Sequence, residues 1–226
     1  LTIQLVSGEQ TSVLKAGLKV QAGEIVDAAV MHKVALQRFL AEQVAAAKAE
    51  GVLFSVHLKA TMMKVSDPII FGHVVKAYFS ELFETYGKQL TAAGLSANNG
   101  LAAILSGLEE LPEDVRAGVN ALIQKGLDDG PALAMVDSDK GITSLNVPSD
   151  IIVDASMPAM IRSSGHMWGP EGQEADTLAV LPDSSYAAIY QVGRGHCPAH
   201  GTLAPTPQAQ ARARVVWGRG AERGGP

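Results

Sequence analysis

The 226 residues carry 23 acidic and 18 basic side chains, for a net charge of −5 and a pI near 5.7. That length suffices for one large domain or two small ones with a real core, and an acidic balance gives no reason to expect nucleic acid as a partner. No apolar run approaches the roughly 20 residues needed to span a bilayer, so no membrane is expected either.

The opening LTIQLVSGEQ lacks the basic start and small-residue cleavage site of a signal peptide. The single cysteine, Cys197, excludes an internal disulfide framework and fits a reducing compartment. A cytoplasmic location is the expectation. LTIQLVSGEQTSVLKAGLKV alternates apolar and polar residues on both sides of Ser7-Gly8-Glu9, the pattern of a hairpin. Val30, Val34, Ala35, Phe39, Leu40 and Val44 then recur at helical spacing, with Asp27 as N-cap and Gly51 as the stop. The apolar run from Val52 to Leu58 is a buried strand, followed by Lys59 and the pair Met62-Met63, which reads as core filler.

After Pro68 the helical pattern resumes through Val74, Val75, Tyr78, Phe79, Leu82 and Phe83 and closes at Gly87. Two more helices are predicted, one near 97–108 after Ser96 and one near 112–127 with proline early in its first turn. ALAMV (132–136), DIIVD (150–154) and TLAVL (177–181) read as further buried strands, the last leading to a helix from Ser184. Short apolar runs alternating with helices predict an α/β fold, a mainly parallel sheet flanked by helices behind an N-terminal hairpin.

Residues 193–226 are expected to be a disordered C-terminal tail. They hold five arginines, no lysine and one acid, Glu222, about +4 against −9 for the remainder. Gly, Pro, Ala and Arg dominate, too little apolar surface to offset the entropy of ordering. Within the tail, His196, Cys197 and His200 form an H-C-x-x-H cluster, but a structural zinc site takes four ligands and nothing nearby supplies the fourth. The chain also opens without Met in the middle of a strand pattern, and both ends read as cut from a longer chain.

Open α/β sheets bind ligands beyond the carboxyl ends of their strands. Three predicted strands end there in ionisable groups: Lys59, the Asp137/Asp139/Lys140 cluster, and Asp154. A lysine and an aspartate converging at one edge suit an anionic substrate with a divalent cation, because Mg²⁺ and Mn²⁺ prefer carboxylate oxygens. Each residue also has an ordinary reading. A strand-end lysine is commonly a solvated loop residue, and strand-end aspartates, Asp150 included, commonly form caps and Asx-turns. SSGHMWGPEG (163–172), with His166 and Trp168, is either a binding loop or a tight connection. No G-x-G-x-x-G after a strand, no P-loop and no G-x-S-x-G is present.

GVLFSVHLKATMMKVSDPIIFGHVV resembles a segment of the monomeric-type NADP-dependent isocitrate dehydrogenases. So do GPALAMVDSDKGITSLNVPSDIIVDASMPAMIRSSGHMWGPEGQEADTLAV, LPDSSYAAIYQV and, at the front, VQAGEIVDAAVMHKVAL. The resemblance implies oxidative decarboxylation of isocitrate to 2-oxoglutarate with NADPH formation, in the tricarboxylic acid cycle and glyoxylate bypass. It also implies a cytoplasmic, monomeric enzyme that uses NADP and Mg²⁺ or Mn²⁺. By motif position, the lysine of HLKAT, Lys59, corresponds to an active-site lysine, and the aspartate of IIVDASMP, Asp154, to one metal-binding carboxylate. The cation would polarise the 2-hydroxyl and stabilise the enolate left after CO₂ departs, while the lysine assists proton transfer and offsets negative charge.

On this resemblance residues 1–192 are a segment of the family's large α/β domain, and 193–226 are a separate tail that reads as unrelated or out-of-frame sequence. The family's other metal aspartates, its substrate-binding serine and asparagine and its NADP-phosphate site have no counterpart here. The cofactor-binding residues are therefore unknown. The expectation is a fragment without turnover of its own, and the alternative is a catalytically inactive α/β remnant that binds no ligand.

Overall fold

Six consecutive residues, 53–58, are buried, the first four of them as a strand covered on both faces, and the larger part of the molecule is built around them. The computed structural model describes residues 1–26, 29–58, 66–147, 165–183, 214–217 and 221–223. It divides into two compact units, Leu1–Ala29 with Arg223–Pro226, and Val30–Glu222.

In the smaller unit, β1 (Ile3–Ser7) and β2 (Gln10–Lys15) form the predicted antiparallel hairpin. Gly8 takes φ 58° at its turn, a conformation that costs glycine little. The strands pair Leu5 with Ser12 and Val6 with Thr11, so apolar residues stand on both faces. Every residue of both strands is exposed.

The larger unit begins at Val30, within β3 (Ala29–Met31), which leads into α1 (Lys33–Glu50). This differs from the expected helix start. Asp27 lies outside the described residues, and the cap position is held by His32, which makes no side-chain cap bond. No Ser, Thr, Asp or Asn stands just ahead of Lys33 to signal the start. The helix is also turned from the predicted stripe: Leu36, Leu40 and Ala47 are buried while Val34 is 77% exposed. Gly51 closes it in the left-handed region at φ 66°, as expected, and β4 (Leu53–Val56) follows.

The helix expected after Pro68 is two helices, α2 (Asp67–Tyr78) and α3 (Ser80–Ala92), broken at Phe79 with φ −105° and ψ 48°. Tyr78 and Phe79, on either side of this break, are both buried. The break lets their rings meet edge to face at 4.8 Å. Both enter a crevice against α5 (Glu113–Asp129), where Gly126 and, just past the helix, Gly130 leave room: a methyl group there would run into Phe79 and Tyr78 respectively. The Tyr78 hydroxyl donates to the Pro131 carbonyl at 2.7 Å. Burial pushes the phenol well above its ordinary range, keeping it a neutral donor.

Between them α4 (Leu101–Gly107) is flanked by 3₁₀ turns at Ala97–Asn99 and Leu108–Glu110, with Ser96 capping the first by accepting from the Asn98 N–H. Gly100, at φ 88°, is where this segment is tied down. Leu101 and Ala102 donate their N–H groups to the carbonyls of Leu145 and Asn146, and a methyl group at Gly100 would strike the Asn146 carbonyl. Gly100→Ala therefore combines an unfavourable φ with a backbone collision, and we expect it to destabilise the unit by roughly 2 kcal/mol or more. A urea midpoint equal to that of the unsubstituted chain would contradict this.

The remaining strands are β5 (Met135–Asp137), β6 (Ile142–Thr143), β7 (His166–Trp168), β8 (Glu174–Leu181), β9 (Arg214–Trp217) and β10 (Ala221–Arg223). The sheet centres on β8. Its second half runs parallel to β4, from Leu53↔Thr177 to Val56↔Val180, and parallel to β9, while its first half pairs antiparallel with β7. The other edge of β4 meets residue Leu133 in a parallel bridge to Phe54. The sheet is thus mixed, with parallel pairing at its centre. The predicted strand 150–154 and the helix from Ser184 lie outside the described residues. One continuous core joins Phe54, Val56 and Leu58 to Val74, Val75 and Tyr78 on the helices.

Candidate functional site

Because β4, β8 and the segment at Leu133 run parallel, their carboxyl ends open on one edge. Past β4 the chain keeps its register for one residue, since the His57 N–H donates to the Val180 carbonyl at 2.9 Å. Leu58 follows, and after it Lys59, outside the described residues. Past β8 the chain reaches Pro182 and Asp183, and past Leu133 it enters β5 and ends on Asp137. α2 starts after the connection that leaves β4 and carries Asp67 in its first turn, where a negative charge suits the helix dipole.

Three of these groups are buried: His57 at 1% exposed, Asp67 at 0% and Asp183 at 5%. Sequence reasoning did not select any of them. His57 stands two residues after Ser55, so the two share a face of the strand, and the Ser55 hydroxyl and His57 Nε2 share a hydrogen bond at 3.0 Å. Burial lowers the imidazole pKa from 6.5 to about 4 and keeps the ring neutral. A polar pair inside an otherwise apolar strand was the signal available, because buried polar groups require hydrogen-bond partners.

Lys59 and Asp154, the two residues proposed on resemblance, both lie outside the described residues, as do Asp150, Met62-Met63 and the His196/Cys197/His200 cluster. The Asp137/Asp139/Lys140 group is described and forms a local turn. The Asp137 carboxylate accepts from the Lys140 backbone N–H at 3.2 Å and pairs with its ammonium at 2.9 Å. Those hydrogen bonds hold the Asp137 carboxyl below its ordinary range. This is the Asx-type reading of the strand end.

The stretch 163–172, left open as a binding loop or a connection, is from Gly165 onward a hairpin arm. β7 pairs with β8, and His166 Nε2 lies 2.9 Å from Asp176 Oδ1 across the ladder. The turn closes through Gly169 and Gln173, with Ser138 donating to the Gly169 carbonyl at 3.0 Å. Among the described residues no group of three or more His, Cys, Asp or Glu side chains is placed to hold a metal ion. The described residues alone therefore do not make a divalent-cation site. No described helix is long and apolar enough to cross a membrane.

Helices packed on a mixed sheet with a parallel centre define an α/β protein. The sequence matches the model of one such group, described as Monomeric isocitrate dehydrogenase, over residues 1–214. The chain belongs to the monomeric isocitrate dehydrogenase family. It is 63% identical over 195 residues to the isocitrate dehydrogenase [NADP] of Corynebacterium glutamicum, covering 86% of this chain and 26% of that protein. It is 56% identical over 195 residues to that of Corynebacterium efficiens, with the same coverage. With the isocitrate dehydrogenase [NADP] of Azotobacter vinelandii it shares 51% over 205 residues, 90% of this chain and 28% of the relative. The chain thus spans about a quarter of the length of these curated relatives.

Proposed function

We propose that this chain supplies part of the active site of an NADP-dependent isocitrate dehydrogenase, the enzyme that oxidises and decarboxylates isocitrate to 2-oxoglutarate. The observation that carries the reading is the 63% identity over 195 residues to a protein of that name. In this reading Lys59, which follows the buried strand β4 in the sequence, supplies an ammonium to the site. An ammonium there attracts a tricarboxylate and stabilises charge that develops on its oxygens. Asp154 is proposed as one carboxylate toward Mg²⁺ or Mn²⁺, a cation that takes several oxygen ligands. The remaining ligands and the NADP site would come from parts of the relatives that have no match here. Cytoplasmic location, a place in the tricarboxylic acid cycle and glyoxylate bypass, and a monomeric state for the whole enzyme belong to the same proposal. So do a mainly parallel sheet in the complete domain, and a boundary near Val192 between the domain segment and a low-complexity tail.

A second reading is favoured by a specific observation: the chain spans 26% of its relative, and its described residues offer no metal cluster. In that case it is a folded remnant that binds neither substrate nor cation. Thermal unfolding with isocitrate and Mn²⁺ separates the two. A ligand that binds only the native state raises the melting temperature, by about 2.7 kcal/mol of stability at a hundred times Kd. With both ligands at millimolar concentration we expect a rise of a few degrees that is lost in Lys59→Met. Equal melting with and without ligands, or an undiminished rise in Lys59→Met, would remove the proposed role. No NADPH formation is expected from the 226-residue chain by itself.

A further inference from the structure

Asn99-Gly100 is the single Asn-Gly pair in the chain, and it lies in the 3₁₀ turn that precedes α4. An asparagine followed by glycine is open to attack by its own backbone. The next amide nitrogen can reach the side-chain carbonyl carbon, because glycine has no Cβ to obstruct the approach. The three other asparagines are poorly placed for it. Asn98 is followed by Asn99, and its amide fills the space beside Gly72 on α2, where a methyl group would collide with Oδ1. Asn120 precedes Ala121 inside α5. Asn146 precedes Val147, and its Oδ1 accepts from the Thr143 N–H and hydroxyl. Asn99 alone combines an exposed side chain with a glycine neighbour.

We infer that Asn99 is a site of spontaneous deamidation, gated by the turn Ala97–Asn99, and that its isoaspartyl product loosens the attachment of α4. In the closed turn the Gly100 N–H donates to the Ala97 carbonyl at 3.0 Å, which holds the attacking nitrogen back. A 3₁₀ piece of three residues is short, has poor hydrogen-bond geometry and opens at low cost. Once it opens, base removes the Gly100 amide proton, the nitrogen bonds to Asn99 Cγ, and the Cγ–Nδ2 bond breaks with release of ammonia. Water then opens the five-membered imide at either of its carbonyls, and no oxidation or reduction takes place. One product is aspartate, which keeps the backbone. The other is isoaspartate, in which the chain runs through Cβ and Cγ and gains a methylene. That methylene falls where the fold has least room. A methyl group at Gly100 would already strike the Asn146 carbonyl, and the next two N–H groups, of Leu101 and Ala102, donate to the carbonyls of Leu145 and Asn146. A longer main chain at residue 99 disturbs both bonds. The inference is independent of the proposed function.

Incubation of the 226-residue chain at pH 8.5 and 37 °C, followed by peptide mass spectrometry, tests it. We expect a one-dalton gain confined to the peptide that holds Asn99, and none there in Asn99→Gln, whose longer side chain closes its ring far more slowly. Asn99 is exposed, so the thermal transition of that variant should be unchanged. The reaction is slow against reclosing of the turn, so its rate follows the population of the open form. Ser96→Ala, which removes the cap bond to the Asn98 N–H, should therefore raise it roughly fivefold. The isoaspartyl fraction, separated by chromatography, should unfold at a lower urea concentration than Asn99→Asp, which carries the new charge without the extra methylene. No detectable gain at residue 99 over about ten half-lives of the urea-unfolded chain, or a gain spread over all four asparagines, would overturn the inference. So would a rate unmoved by Ser96→Ala, or an isoaspartyl form as stable as Asn99→Asp.

Discussion

Phe54→Ala is expected to remove about 3–5 kcal/mol of stability, enough to unfold the larger unit at 37 °C if its margin is typical of a small domain. Phe54 is 0% exposed at the centre of β4. Its backbone joins three strands: its N–H donates to Ala132, its carbonyl accepts from Ala134, and it faces Leu178 across the parallel ladder. Its ring lies 6.2 Å from that of Tyr78, centroid to centroid, which ties the sheet to the α2–α5 crevice. Truncation leaves a cavity whose walls are held by these other contacts and cannot collapse into it. Urea unfolding followed by circular dichroism measures the loss. A change below 1 kcal/mol would mean that β4 is not the centre of the core. A shared decrease in Tyr78→Phe, which loses one buried hydrogen bond of about 1 kcal/mol, would localise the effect to the same junction.

Acid is expected to weaken the same unit well before carboxylates titrate, through His57. Its imidazole has a pKa of about 4 in the folded chain against 6.5 for the free side chain, because burial disfavours the charged ring. The unfolded chain therefore binds the proton more readily. The stabilisation is complete above pH 6.5 and is lost progressively as pH falls from 6.5 toward 4, with a total of about 3 kcal/mol. Urea midpoints at pH 7.5, 6.5, 5.5 and 4.5 should decline across this window, and the decline should be shallower in His57→Gln. Parallel slopes in the two proteins would refute the assignment. Should the variant fail to fold, the chemical shift of the His57 ring protons decides: titration near pH 6.5 in the folded chain is incompatible with the buried, neutral ring.

Local signals in the chain were legible wherever one residue type settles the backbone. Gly8 fixed the hairpin turn, Gly51 the end of α1 and Ser96 the first turn before α4, since each supplies a conformation or a cap bond at its own position. Signals failed where a long-range contact overrode local preference. The stretch after Pro68 has an unbroken helical pattern, yet it breaks at Phe79, because two adjacent rings find room against Gly126 and Gly130 some fifty residues away. α1 begins late and rotates because no capping side chain marks its start and its partner is α2. The candidate site divides in the same way. Lys59 and Asp154 were proposed from matching stretches of sequence. The burial of His57 and Asp183, just past the paired strands β4 and β8, and of Asp67 in the first turn of α2 emerged only in the folded structure.

By itself, then, the sequence determined the family, the hairpin, most helix and strand locations, and the acidic, single-cysteine character of the chain, for these depend on neighbouring residues or on uninterrupted similarity. Only the tertiary structure decided which faces are buried, that the sheet is mixed, that a histidine is kept neutral beneath the strand end, and that the residues of the hairpin strands are exposed. Burial is a property of what lies opposite a residue in space, and an alternating pattern such as that of β1 and β2 reads the same whether its apolar side meets a partner or water.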